Sequence, residues 1–171
     1  MEETCTFVSI NGIARTCDVY PKNIVHNSDT FDVNDYESIK NNDSVFVVTN
    51  CIKQFVEHIL PELKKNSIKI KLVTGASDIG VPNQLDSLDD VNYLSVIGEV
   101  LIHWFCQNFD NGTDIHEYTV IPLGLDFHTD VNTSPVDQEK KLKVIHEQSK
   151  SENNRLHKSM SCFQFRLFED R

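Results

Sequence analysis

The chain has 171 residues and a mass of 19.6 kDa, enough for one sizeable core and an appendage, and its 39% hydrophobic and 25% charged residues suit a globular rather than a disordered protein. A formal net charge of −10 excludes a broad nucleic-acid or anionic-membrane surface, because either needs clustered Lys and Arg to displace counterions. Five scattered Cys with no CxxC pair read as free thiols, and Met1 to Phe7 lacks the basic and apolar stretches of a secretory signal, so a cytoplasmic chain without a membrane span is expected.

Taken in chain order, Phe7-Val8-Ser9-Ile10 followed by Asn11-Gly12 predicts a hairpin closing onto Ile13-Ala14. The Asn-, Asp- and Ser-rich segment from Asn27 to Asp43 reads as loop with a helical turn over Val33 to Lys40. Ser44 to Thr49 is a continuous β-branched and aromatic run, the pattern of a strand buried on both faces of a parallel sheet. From Cys51 to Lys65 the apolar residues Ile52, Phe55, Val56, Ile59, Leu60 and Leu63 recur at helical spacing, with a kink or broken last turn expected at Pro61. Ile68 to Val73 is the next strand, and strand, helix, strand in this space is a βαβ unit with a parallel pair.

Further on, Gln84 to Asn92 is acidic and reads as helix. Tyr93 to Phe105 fits either a helix or a strand, with the strand placed from near Val100. Tyr118 to Gly124 predicts a short strand, and Val136 to Lys150 a helix able to cover the sheet through Leu142 and Ile145. Cys162 to Phe168 alternates like an edge strand, which so near the terminus implies a pairing partner, either a protein or the missing part of a truncated architecture. The expected fold is therefore α/β: a Rossmann-like three-layer domain with a mainly parallel sheet over residues 1–135, followed by a helix and terminal strand over residues 136–171.

Three segments carry chemistry. Val73 to Pro82 places Gly75, Ser77, Asp78 and Gly80 where a strand gives way to a loop, the end of a parallel sheet at which ligands bind and glycines let backbone N–H groups approach an anion. The Gly75 to Gly80 spacing imitates a phosphate-binding loop, but Val81-Pro82 stands where the phosphate-gripping Lys and the metal-binding hydroxyl belong. The alternative is a tight turn capped by Ser77 and Asp78. The second segment, His103-Trp104-Phe105-Cys106-Gln107-Asn108, offers rings to stack on a sugar or base and polar side chains to bind its edge, or else a buried aromatic with satisfied polar ends. In the third, Asp126 and His128 project to one side of an extended segment, as a carboxylate-oriented base or as a cap and a surface histidine. No metal is expected, since the further ligands are not visible, and the other histidines, His26 among them, read as solvated.

Taken together, the Val45 to Thr49 strand, Leu72-Val73-Thr74-Gly75 with Ser77-Asp78 and Val81-Pro82, His103-Trp104-Phe105 with Gln107-Asn108, and Ile121-Pro122-Leu123-Gly124-Leu125-Asp126 with His128-Thr129 resemble a family of uncharacterised proteins of giant DNA viruses. That family is similar to exostosin-like glycosyltransferases. The resemblance, which spans about Phe7 to Thr129, implies one Rossmann-like half of a GT-B architecture and transfer of a sugar from a nucleotide-sugar donor to a glycan acceptor hydroxyl, with no bound cofactor. It makes Asp78, Asp126 and His128 candidates for the base, and Gly75, Ser77, His103, Trp104, Gln107 and Asn108 candidates for substrate binding, Trp104 as a platform for the sugar ring. Because a GT-B enzyme has two halves, the implied alternative is a non-catalytic binding or interaction module on the same scaffold.

Overall fold

The computed structural model describes residues 9–81, 97–110, 118–122 and 134–150. The chain divides into two compact units, Glu2–Asp126 and, with Met1, Phe127–Arg171. The first is an α/β unit built on a four-stranded, all-parallel sheet, Rossmann-like in its strand, helix, strand construction.

Its strands are β1 (Ser44–Val48), β2 (Ile70–Gly75), β3 (Leu101–Cys106) and β4 (Tyr118–Val120), hydrogen-bonded in that order. Outside β1 an isolated parallel bridge joins Val19 to Val45. Hence the spatial order of the described strands follows the sequence and never reverses. The apolar run in β1 is what a central strand requires, and Val45, Phe46 and Val47 are fully buried. Burying such side chains contributes roughly 1.5–3 kcal/mol each, and their withdrawal from water is the main force holding the unit together.

The β1 to β2 crossover is helical, as expected, but splits into α2 (Ile52–His58) and α3 (Leu60–Lys65). Pro61 has no N–H to donate, and its ring crowds the carbonyl one turn earlier, so the helix restarts with Pro61 in its first turn. The six apolar residues of the periodic pattern are all buried nonetheless. Both α2 and α3 therefore turn one stripe to the core.

The hairpin expected at Asn11-Gly12 is absent: Ile10–Arg15 is a helix, α1. Ser9 caps it, its Oγ accepting from Gly12 N at 3.0 Å, and Ala14 is buried. The turn expected over Val33 to Lys40 is a short 3-10 segment, Val33–Tyr36, capped by Asp32. The ambiguous stretch before β3 resolves into strand from Leu101 onward, with Ile97 and Gly98 helical.

In the second unit the described residues form α4 (Pro135–Lys150). Ser134 caps it, its Oγ accepting from Asp137 N at 3.2 Å and donating to Asp137 Oδ2 at 2.7 Å. Val144 and Ile145 are exposed. The expected helix at residues 84–92 and terminal strand at residues 162–168 lie outside the described residues. No helix among the described residues is long and apolar enough to cross a membrane.

Candidate functional site: the carboxyl rim of the sheet

The carboxyl ends of the strands line up through the register, Val48 beside Gly75, Thr74 beside Cys106, and Cys106 beside Val120. The first residues beyond each strand thus share one rim, the edge where parallel sheets offer backbone and side chains to ligands. Beyond β1 stand Thr49 and Asn50, beyond β2 Ala76 to Asp78, beyond β3 Gln107 and Asn108, and beyond β4 Ile121 and Pro122.

These groups are bound mainly to one another. Gln107 is 3% exposed; its Oε1 accepts from Ala76 N at 3.1 Å and its Nε2 donates to Pro122 O at 3.0 Å, stapling the β2, β3 and β4 ends together. Asn108 Nδ2 donates to Ser77 O at 2.7 Å. Ser77 is buried, with Oγ donating to Asn50 Oδ1 and accepting from Ile79 N at 3.0 Å, so it closes the local turn that its sequence position allowed. Ala76 and Asn108 hold left-handed backbone, φ 54° and 50°, which costs a non-glycine residue energy and persists here because their surroundings fix both.

The outermost layer of the rim comes from a distant loop. Asn27, itself at φ 55°, donates its backbone N–H to Ala76 O at 2.8 Å, while its side chain pairs with Asp78 in both directions: Nδ2 to Oδ2 and Asp78 N to Oδ1, each 2.8 Å. His26 Nε2 lies 3.6 Å from Asp78 Oδ1, with the Asp78 side chain 74% exposed. A carboxylate facing an imidazole on an open edge can orient that ring or accept from a donor brought to it. His26, Asn27 and Asn50 were missed in the sequence. The signals for the two asparagines were there: Asn27 is a residue type that tolerates positive φ in a turn-rich loop, and Asn50 follows directly on an apolar run.

Several expected site residues take other roles. Trp104 is no platform: it is 2% exposed, pairs with Leu72 and Tyr118 in mid-strand, and donates its indole N–H to Thr74 Oγ1 at 2.9 Å inside the core. Neither ring face is left for a sugar. His103 also lies below the rim, paired in register with Lys71, its Nε2 2.9 Å from Thr119 Oγ1 and its ring against Phe105. Gly75 does not cradle an anion, because the space a Cβ would occupy is filled by Gln107 Oε1 at 2.5 Å and Ile10 Cδ1 at 2.6 Å. Glycine is needed there for close packing. Asp78 alone among the expected catalytic residues is described and exposed; Asp126 and His128 lie outside the described residues. Among the described residues no three His, Cys, Asp or Glu side chains gather as a metal site.

No protein-family model matches the chain, and neither the comparison with curated proteins nor that with solved structures finds a significant match.

Proposed function

We propose that this chain is a binding module, a parallel α/β scaffold that presents the strip formed by His26, Asn27 and Asp78 to a partner and performs no chemistry itself. What supports this reading is the use to which the rim puts its polar groups. Gln107, Asn108, Ser77 and Asn50 hydrogen-bond one another and the backbone, which fixes the loops. The exposed Asp78 carboxylate, steadied by Asn27, is left as an acceptor surface for a partner presenting hydroxyl or cationic groups.

A second reading, sugar transfer on the acceptor side of a GT-B arrangement, is favoured by the His26–Asp78 contact. In it the carboxylate orients the imidazole, and the imidazole takes the proton of an acceptor hydroxyl. One experiment separates the two. The chain is incubated with a panel of nucleotide sugars and hydroxyl acceptors, following both the melting temperature and the release of free nucleotide. The binding-module reading expects no nucleotide release, and a melting shift with one sugar then identifies its ligand class. Release that requires the acceptor, is matched by glycosylated acceptor and disappears in Asp78→Asn overturns that reading and establishes transfer.

A further inference from the structure

The loop that brings Asn27 to the rim continues into a separate cavity of about 180 Å³, lined among others by Lys22, Phe31, Asp32, Asp35, Tyr36 and Cys51. Its size is comparable to the ~150 Å³ cavity that accepts a benzene-sized group. Phe31 and Tyr36 stack at 5.0 Å and give it an aromatic wall. Cys51 donates its thiol to Ser28 O and Thr30 O, which ties the loop to the end of β1, and burial keeps that thiol protonated.

Asp35 is the unusual member. Its side chain is only 7% exposed. One oxygen, Oδ2, accepts from Lys22 N at 3.1 Å, whereas the buried Oδ1 accepts no hydrogen bond from the described residues. Its ionic neighbour is Lys22 Nζ at 3.3 Å, on a side chain that is 78% exposed. A contact so open to solvent compensates a buried carboxylate oxygen poorly. The other carboxylate of the lining, Asp32, has Oδ1 engaged by the backbone and side chain of Asn34. These lining residues therefore carry two carboxylates against one ammonium, a balance that repels anions and accommodates one more positive charge.

We infer that this cavity is a binding site for a small organic cation, a primary ammonium or guanidinium on a short apolar stem, whose donor takes Asp35 Oδ1 in place of the Lys22 ammonium while the stem lies against Phe31. The inference does not rest on either reading of the rim's function. Lys22 acts as the protein's own competitor for the carboxylate.

The test is an NMR titration of the isotopically labelled full chain with n-butylammonium chloride, using sodium butyrate and n-butanol as probes with the same type of stem but no cation. Saturable shifts at Lys22, Phe31 and Asp35 are expected with n-butylammonium and not with butyrate. Lys22→Ala removes the competitor and tightens binding by up to about fivefold, the scale of one exposed ion pair. Asp35→Asn keeps an acceptor for the Lys22 N–H and abolishes binding. Undiminished binding by folded Asp35→Asn, weaker binding by Lys22→Ala, equal shifts with butyrate, or no saturable shift in either wild type or Lys22→Ala overturns the inference. Should Asp35→Asn fail to fold, the Lys22→Ala and butyrate comparisons decide it.

Discussion

Trp104 and Thr74 are joined by a 2.9 Å hydrogen bond from the indole Nε1 to the threonine Oγ1, with both residues buried between β2 and β3. Thr74→Val preserves shape but leaves the indole N–H buried without this acceptor, so it is expected to destabilise by about 1–3 kcal/mol. Trp104→Phe leaves the smaller hydroxyl instead and adds a void. A double-mutant cycle in urea should then return a favourable coupling between the two sites.

Gly75→Ala is expected to destabilise by roughly 1–3 kcal/mol, because its Cβ would sit 2.5 Å from Gln107 Oε1, an atom already held by Ala76 N. Adding Gln107→Ala removes one of the two clashing groups. The double variant should lose less than the sum of the single losses, as measured by chemical denaturation.

Replacing Gln107 by Leu withdraws the acceptor of the buried Ala76 N–H and the donor to Pro122 O. A loss of about 1–3 kcal/mol is expected. Amide hydrogen exchange should accelerate most at Ala76 and its rim neighbours and little in β1, which the staple does not touch.

Burial pushes the thiols of Cys17, Cys51 and Cys106 from 9.0 up to about 11, reinforced by Asp18, Asp29 and Asp110 respectively. Since the folded state favours the protonated form, the stabilisation is complete below about pH 9 and is lost as pH rises through about 11. Melting temperature should therefore fall more steeply over that interval in the wild type than in Cys17→Ala/Cys51→Ala/Cys106→Ala. At neutral pH the three thiols should react with iodoacetamide only when the chain unfolds.

The elements legible in the sequence were those whose pattern is local. The unbroken apolar run of β1, the helical stripe from Ile52 to Leu63 and the short strand at Tyr118 each announce themselves without knowledge of neighbours. Asn11-Gly12 misled because the same dipeptide serves a hairpin or the first turn of a helix, and the Ser9 hydroxyl decided for the helix. At the site the sequence located the rim and named Gly75, Ser77, Asp78, Gln107 and Asn108, but not the partners that define their roles. Trp104 reads alike as a stacking surface or a core residue until Thr74 is seen to accept its proton. Asn27 reaches Asp78 across a sequence separation of 51 residues, which no periodicity or spacing rule can anticipate.

The parallel sheet also bears on how the chain reaches its native state. No described strand pair is antiparallel, so none of these pairs can be nucleated by a tight turn, and each strand must wait for a partner delivered by an intervening crossover. Assembly dominated by such distant pairings is slow, and it leaves runs such as Val45 to Val48 uncovered during synthesis. Refolding yield should consequently fall as protein concentration rises.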